Sequence, residues 1–312
     1  MESKETIDNK YIILEEKGKG ATSNVFLVKH LFNEKIYVAK VLKKPIIFFD
    51  KEIEILNALK PINDPYIVNL IESGTFPNIR KDQPLQKKQY LILDYAEKGE
   101  LYKYIINIHK GLKEKYSKVI FNKILKGVQA CHDNGICHRD LKMENILMDK
   151  NFNPKICDFG FSCFNKGNLN DYLGTRYYTA PEILDKKPYD GYKADIFSLG
   201  VILLALVTGK LVFKEATKID KLYKLIMIKH YRHYWKIVGS LIDGVSEDLK
   251  NLYIKMISYR PKNRPSIQEI LNDKWMKEIT DLNKEQFDEL ENEVRNEFLE
   301  REQLIQDLKI MK

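Results

Sequence analysis

The sequence predicts an α+β fold of two lobes: a small lobe with an antiparallel sheet and one helix, and a larger lobe that is mainly helical. Short segments in which apolar and polar residues alternate fill the chain as far as Tyr95, as expected for strands with one buried face. From Leu101 onward, apolar residues recur at helical spacing. A Gly-containing turn over residues 94–99 separates the two parts and predicts a hinge.

The small lobe is predicted to hold five strands and one helix, which spans residues 48–59. We expect the basic loop 77–88 to be a mobile connection between the last two strands. The predicted strands are 11–17, 24–30, 35–42, 67–75 and 89–95.

The large lobe is predicted to be built from helices. Its most apolar run, residues 199–207, is far shorter than the roughly 20 residues that cross a bilayer, so we interpret it as part of a buried helix. Residues 278–312 carry 11 acidic and 5 basic side chains and are predicted to form an acidic helical extension. The other predicted helices are 116–134, 195–208, 219–230 and 247–256.

Composition narrows the class of protein. The 312 residues are 44% hydrophobic, which is enough to bury one large core or two smaller ones. The four cysteines form no C-x-x-C pair, so we expect neither a disulfide framework nor a structural zinc site. We expect no secretion signal and no lipid anchor, because the N-terminal segment lacks an apolar stretch and Glu2 stands where myristoylation requires glycine. A reducing cytoplasmic location is expected, with the nucleus as the alternative.

The net charge of +8 is spread over scattered lysines, and no nucleic-acid motif accompanies them. We therefore expect no nucleic-acid partner and no membrane partner. A solvated, lysine-rich surface accounts for the charge.

A glycine-containing run from Gly18 to Val25 lies between two predicted strands. Its glycines would let a hairpin backbone lie close over phosphates. The run alone is weak support for a phosphate-binding loop, because Ser23 occupies the place of a usual third glycine. An ordinary surface hairpin could have the same sequence pattern.

Lys40 ends an apolar strand fifteen residues after Val25, where an ammonium group can reach the α- and β-phosphates of a nucleotide. Such a lysine needs a carboxylate partner. Glu52 on the predicted helix is the expected partner, and Glu54 is the competing assignment.

The most specific motif is the run from His138 to Asn145, which reads HRDLKMEN. With Lys40 and the Asp158-Phe159-Gly160 triplet, it resembles the eukaryotic protein kinase family over about residues 11–277. Residues 199–213 and 271–276 look most like the calcium/calmodulin-dependent kinase group and its relatives. The resemblance implies a bilobal protein-kinase fold with an N-lobe at 11–93, a hinge at 94–99 and a C-lobe at 100–277.

The resemblance also implies a serine/threonine kinase that uses ATP and two Mg²⁺ ions, and it assigns the site residues. Asn145 and Asp158 are the expected metal ligands, and Lys142 marks the serine/threonine type. The expected catalytic residues are Asp140 as the base, Lys142, Lys40, Glu52 and Thr175. The expected nucleotide-contacting residues are Gly18, Lys19, Gly20, Ala21, Thr22, Ser23, Val25, Val38, Lys40, Leu93, Asp94, Ala96, Glu100, Glu144, Leu147 and Cys157.

Structural roles follow from the same resemblance. Glu182 is expected to pair with Arg264, and Asp195 to hold the catalytic-loop backbone. Four apolar or aromatic side chains are expected to form a column that joins the lobes: Leu56, Leu70, His138 and Phe159.

Two features of the resemblance concern regulation and substrate choice. Arg139 precedes the catalytic aspartate, and kinases with that arginine usually require an activation-loop phosphate, whose place Asp171 takes here. Asp171 could therefore supply a standing charge, or it could be an ordinary loop residue. Glu100 and Glu144 match positions that meet basic residues before the phosphoacceptor, so a basophilic preference is expected.

The acidic extension carries an apolar stripe that includes Phe287, Val294 and Phe298. It could inhibit the enzyme, bind a partner, dimerise or pack on the helical lobe, whereas a calmodulin target is not expected from an acidic helix.

Departures from the family pattern leave an alternative open. Glu52 follows Lys40 by only twelve residues, which could restrict the helix or impair the pair. The alternative is a pseudokinase, an ATP-binding scaffold that recruits partners. The lysine and both aspartates of an active kinase are nevertheless present at Lys40, Asp140 and Asp158.

Overall fold

The computed structural model describes residues 5–20, 22–43, 47–77, 87–239 and 244–310. Its small lobe is a curled antiparallel sheet whose strands run in the order β1-β2-β3-β4-β6-β5 within the described residues. The strands are β1 (Thr6–Ile7), β2 (Tyr11–Lys19), β3 (Ser23–His30), β4 (Ile36–Leu42), β5 (Leu70–Pro77) and β6 (Lys87–Asp94).

The α-helix that the structure describes in the small lobe, α1 (Ile47–Leu59), begins one residue before its predicted start. Its buried side chains include Phe49, Leu56 and Leu59. These residues belong to an apolar cluster that continues into the large lobe, so the two lobes share one core at this point. Residues 78–86 of the predicted mobile loop lie outside the described residues.

The large lobe is mainly helical, as predicted. The helices before the extension are α2 (Leu101–Ile105), α3 (Glu114–Asp133), α4 (Pro181–Leu184), α5 (Gly191–Thr208), α6 (Lys221–Met227), α7 (Tyr231–Gly239), α8 (Glu247–Met256), α9 (Ile267–Leu271) and α10 (Lys274–Thr280).

Helix α5 is the central helix of this lobe. By length and composition it could cross a membrane, but 83% of it is buried inside the fold, as a core helix of a globular lobe would be. Asp190 caps its start by accepting a hydrogen bond from Tyr192 N. Gly209 ends it with φ +69°, and a Cβ there would meet the backbone of Lys110 and Gly111 at 2.7 Å.

The predicted helix 219–230 is shorter in the structure, where α6 runs from Lys221 to Met227. Asp220 caps its start by accepting hydrogen bonds from Leu222 N and Tyr223 N. Lys229, at φ 59°, ends the helical path before α7 begins.

Short strands place the loops that carry the chemistry. One small sheet has the order β10-β9-β7, formed by β7 (Gly99–Glu100), β9 (Ile146–Met148) and β10 (Pro154–Ile156). Another pairs β8 (Ile136–Cys137) with β11 (Cys163–Phe164). The catalytic loop therefore lies between β8 and β9, and the Asp158 triplet lies between β10 and β11.

The acidic extension contains a long helix, α11 (Lys284–Ile310), which packs on the helical lobe. Phe298 is fully buried, stacks on Phe152 at 5.4 Å and meets Tyr104 edge-on. Arg301, also buried, donates hydrogen bonds to the carbonyl oxygens of Tyr104 and Gly111. Packing is thus the role that the structure shows for this helix.

Candidate active site

Lys40 lies at the centre of the cleft between the lobes. Its Nζ donates to both carboxylate oxygens of Glu52, at 2.7 and 2.9 Å, and to Asp158 Oδ1 at 3.1 Å. Burial lowers the pKa of Lys40, but the two carboxylates outweigh burial and leave the pKa raised. Lys40 is therefore held as a cation.

The structure pairs Lys40 with Glu52 despite the short connection between them. Glu52 is 4% exposed, whereas Glu54 faces solvent, so the alternative assignment to Glu54 is wrong. Burial raises the pKa of the Glu52 carboxyl, and the charge of Lys40 opposes that rise.

Asp140 is buried and its carboxylate accepts four hydrogen bonds. Lys142 Nζ lies 2.7 Å from Oδ2, and Asn145 Nδ2 lies 3.1 Å from the same oxygen. Thr175 donates its backbone N–H and its hydroxyl to Oδ1 at 2.9 and 2.8 Å. Lys142 also donates to Thr175 Oγ1 at 2.9 Å, so the three side chains form one fixed cluster.

The catalytic-loop backbone is fixed by Asp195, which is fully buried. Its carboxylate accepts hydrogen bonds from the backbone N–H groups of His138 and Arg139, both at 2.8 Å. Arg139 adopts φ 66°, an unfavourable region for a residue with a side chain, and these bonds hold it there. His132 Nε2 lies 2.9 Å from the same carboxylate and so helps to hold Asp195 in place. Sequence reasoning did not identify this role of His132.

Asn145 and Asp158 are the two side chains expected to bind metal ions. Asn145 uses its amide nitrogen on Asp140, which leaves its side-chain oxygen as the ligand atom. Burial raises the pKa of Asp158, but the charge of Lys40 outweighs burial, and the net pKa is lowered. One carboxylate and one amide oxygen suit Mg²⁺, which commonly takes its other ligands from phosphates and water.

The expected nucleotide cleft is lined from both lobes. Val38 lies opposite Leu93 on neighbouring strands, and Val25 lies opposite Lys40. Leu147 in the large lobe pairs with Glu100. The first two pairs place Val25, Val38, Lys40 and Leu93 on neighbouring strands of the small lobe, and the third places Leu147 beside Glu100 in the large lobe.

The glycine-containing run forms the hairpin between β2 and β3. Gly18 pairs with Val25 and Lys19 pairs with Asn24, and Gly20 N donates to Ser23 O at 2.9 Å. Thr22 O accepts a hydrogen bond from Lys43 N. Ala21 lies outside the described residues.

The hinge follows β6. Asp94 N donates a hydrogen bond to Asn69 O at 3.1 Å, so the backbone amide of Asp94 is not free to bind a ligand. The backbone carbonyl of Asp94 is the group expected to contact the nucleotide. Ala96, the other predicted hinge contact, is buried. Burial raises the pKa of the Cys157 thiol, consistent with a packing role beside the cleft.

Arg139 extends into the activation segment. Its Nη1 donates to Asp171 Oδ2 at 2.8 Å and to the Tyr189 hydroxyl at 3.3 Å, while Nε donates to Phe161 O at 2.6 Å. Burial lowers the pKa of Arg139, but the hydrogen bond to Asp171 helps to leave it raised. The predicted pairing of a carboxylate with Arg139 is therefore present.

The remaining structural predictions agree with the contacts. Arg264 and Glu182 form a buried bidentate pair at 2.7 and 2.6 Å. His138 and Phe159 have ring centroids 5.1 Å apart, and Leu56 and Leu70 are buried in the same apolar cluster. Gly174 adopts φ +108°, which disfavours a residue with a side chain, and a Cβ there would lie 3.1 Å from Arg139 O, a tight contact.

Glu100 and Glu144 lie on neighbouring short elements beside the catalytic loop. Burial and the charge of Glu144 raise the pKa of Glu100. Within the described part of the chain, Glu144 Oε2 is buried without a hydrogen-bond partner. The buried Tyr178 hydroxyl lies near this carboxylate, and its pKa is raised by burial and then by the charge of Glu144.

Comparison with known proteins gives the class that this fold and site define. The family described as "Protein kinase domain" matches residues 11–276. The chain therefore belongs to the eukaryotic protein kinase family, whose members are phosphotransferases that generally use ATP and Mg²⁺.

Particular relatives are similar over most of this chain. CBL-interacting protein kinase 26 of Oryza sativa subsp. japonica is 32% identical over 288 residues, which are 88% of this chain and 54% of that protein. Sperm motility kinase 2B of Mus musculus is 32% identical over 276 residues, 88% of this chain and 53% of that protein. The chain spans about half the length of these curated relatives.

Proposed function

We propose that this protein is a serine/threonine protein kinase that transfers the γ-phosphoryl group of ATP to hydroxyl groups of proteins. The observation that carries the proposal is the cluster of Asp140, Lys142 and Thr175, which faces the same cleft as Lys40, Glu52 and Asp158. Phosphoryl transfer needs little covalent help from the protein. It needs alignment and stabilisation of charge, which these side chains can supply.

Each residue in the cluster has a role that its contacts support. Asp140 is the base that orients the acceptor hydroxyl and takes its proton. Lys142, 2.7 Å from Asp140, would stabilise the charge on the transferring group. Lys40, fixed by Glu52, would hold the α- and β-phosphates.

Asn145 and Asp158 would hold the metal ions. Bound Mg²⁺ would neutralise phosphate charge and align the γ-phosphoryl group. The adenine would lie between Val25, Val38 and Leu147, beside Leu93 and the hinge.

A preference for serine and threonine follows from the acceptor side of the cluster. Thr175 bridges Asp140 and Lys142 with one hydroxyl, the arrangement that the resemblance to serine/threonine kinases implies. A basophilic preference is supported by the neighbouring carboxylates of Glu100 and Glu144. Basic residues before the acceptor would neutralise both carboxylates.

We also propose that the enzyme is active without phosphorylation of its activation segment. The support is the 2.8 Å contact of Asp171 with Arg139, which gives the buried guanidinium an anionic partner. A carboxylate carries less charge than a phosphate, so the replacement is partial.

A reducing cytoplasmic or nuclear location remains part of the proposal, supported by four cysteines that are free thiols. Retention of Lys40, Asp140 and Asp158 in one cleft favours catalysis over a scaffolding pseudokinase.

The test is incorporation of radiolabelled phosphate from ATP into a generic basic protein. Asp140→Asn and Lys40→Met should each reduce incorporation by about 100-fold or more. Asp133→Asn and Lys35→Met are matched controls at exposed positions and should retain activity. Phosphoamino acid analysis should show phosphoserine or phosphothreonine. Equal activity of the wild type and Asp140→Asn would exclude the proposal.

A further inference from the structure

Two thiols lie opposite each other beside the catalytic loop. Cys137 in β8 and Cys163 in β11 are register partners in an antiparallel pair. Their Sγ atoms are 3.6 Å apart, and Cys137 Sγ is 3.3 Å from Cys163 O. Neither thiol has a role in the chemistry proposed above.

Register partners in an antiparallel pair are close enough for a disulfide. Opposing residues of an antiparallel pair have Cα atoms about 4.5 to 5.5 Å apart, within the span of about 4.4 to 6.8 Å seen in disulfides. The same ladder continues at Asn165 N, which donates to Gly135 O at 2.7 Å. A bond therefore requires the two sulfur atoms to approach by side-chain rotation, without a change of register.

Gly191 makes room for this pair. A Cβ at position 191 would lie 2.3 Å from Cys137 Sγ, so any other residue would displace the thiol. The start of α5 thus leaves space for a sulfur atom at this point.

The two thiols differ in reactivity. Cys163 is partly exposed, and the hydrogen bond from Cys137 together with the charge of Arg139 lowers its pKa to about 7. The pKa of buried Cys137 is raised, first by its hydrogen bond to Cys163 and then by burial. Burial also raises the pKa of Cys131 and Cys157. Cys163 is therefore the thiol that meets an oxidant first.

We propose that Cys137 and Cys163 form a reversible disulfide that fastens the start of the activation segment to the catalytic loop. The oxidant is a peroxide. The Cys163 thiolate attacks one oxygen of hydrogen peroxide, which forms an S–O bond, breaks the O–O bond and releases hydroxide. The Cys137 sulfur then attacks the sulfenic sulfur, which forms the S–S bond and releases the second oxygen as water. Two thiols lose two electrons and two protons in total, and peroxide becomes two waters.

The bond would reinforce contacts that already join the same two segments. Ser162 Oγ donates to His138 O at 3.2 Å, and Arg139 Nε donates to Phe161 O. A covalent link one residue from the first contact and two residues from the second would keep them in place when the segment would otherwise open.

The experiment treats the reduced full chain with hydrogen peroxide, blocks the remaining thiols and maps peptides by mass spectrometry without reduction. The expected product is a peptide pair linked through Cys137 and Cys163, lighter by two hydrogen atoms and separated again by dithiothreitol. Cys131→Ser is the control and should still form the link, whereas Cys163→Ser should not. The oxidised wild type should unfold about 5 °C higher than the reduced protein.

Several results would overturn the proposal. These are oxidation of Cys163 to sulfinic acid without a link, a link from Cys163 to Cys131 or Cys157, and an unchanged unfolding temperature after the link forms. None of these readouts depends on kinase activity. The mapping of wild-type protein also stands if a cysteine variant fails to fold.

Discussion

At the scale of single residues, Arg139 connects the catalytic loop with the activation segment. Its side chain is 5% exposed, so an unpaired guanidinium there would be costly, and Asp171 supplies a counter-charge from a largely exposed position. The same residue has its backbone held by Asp195. The orientation of Asp140, the next residue, therefore depends on contacts made by its neighbour.

Replacement of Asp171 by asparagine should reduce the activity of phosphatase-treated protein by about tenfold, the equivalent of one charge-assisted hydrogen bond of about 1.4 kcal/mol. Asp171→Glu should retain more activity. Asp185→Asn, which removes a carboxylate paired with Lys187 instead, is the matched control. Equal rates for treated wild type and Asp171→Asn, or a wild type inactive until Ser162, Tyr172 or Thr175 is phosphorylated, would refute the standing-charge hypothesis.

Glu100, if it binds basic residues of the substrate as proposed, should make the preference for basic peptides depend on pH. The pKa of Glu100 is raised above 4.5, so this group loses its charge at a higher pH than an ordinary glutamate does. The neighbouring charges are Glu144, Lys142 and Lys103. When the pH is lowered from neutral toward this raised pKa, Glu100 becomes protonated. The ratio of kcat/KM for a peptide with basic residues to that for a neutral peptide should then fall.

Glu100→Gln should lower the same ratio at neutral pH and flatten its pH dependence. A Glu97→Gln variant, which alters a carboxylate bound to Lys150 N, is the control for a general loss of charge. An unchanged ratio in Glu100→Gln would remove Glu100 from substrate recognition.

At the scale of elements, α11 is held to the large lobe by a buried arginine and a ring stack. Arg301 satisfies carbonyl oxygens at Tyr104 and Gly111, and Glu302 pairs with Lys98 in the hinge at 2.6 Å. Lys98 also lies over the Phe152 ring at 5.0 Å. Helix α11 therefore helps to stabilise the hinge.

Truncation of Phe298 tests this support. Phe298→Ala should lower the free energy of unfolding by about 3 to 4 kcal/mol, because a fully buried ring leaves a cavity. Leu299→Ala, at the next position and 45% exposed, should change it by less than about 0.5 kcal/mol. Urea unfolding measures both, and equal effects would show that α11 is not packed as described.

At the scale of the whole molecule, a charge cluster joins the two lobes beside the apolar core that they share. Glu52 belongs to the small lobe and Asp158 to the large lobe, and Lys40 donates to both. Movement of one lobe against the other would have to break this cluster. The catalytic arrangement and the relative position of the lobes are therefore coupled.

Glu52→Gln should lower kcat/KM for ATP by about 10- to 100-fold, which corresponds to about 1.5 to 3 kcal/mol for a hydrogen bond to a charged group. Glu54→Gln lies on the same helix two residues further on and faces solvent, so it should be neutral. A similar loss in both variants would indicate a general effect on α1 instead of a loss of the Lys40 partner.

Sequence patterns predicted the features that depend on local spacing. Alternation predicted five of the six strands in the described small-lobe sheet to within a few residues, whereas the two-residue strand β1 was not predicted. The run from His138 to Asn145 located the catalytic loop. What sequence reasoning missed depends on packing between distant segments. Arg301 meets carbonyl groups some 190 residues earlier in the chain. The choice of Glu52 over Glu54 was decided by which face of α1 is buried, and the twelve-residue connection did not prevent the pair.

The ion pair of Arg139 and Asp171 differs from a phosphorylated activation segment in how long its negative charge persists. A phosphate on a threonine is added by one enzyme and removed by another, so its charge lasts only as long as their balance allows. The Asp171 carboxylate is encoded in the gene and lasts as long as the polypeptide. Under the proposal that Asp171 replaces an activating phosphate, a phosphatase could not remove this charge.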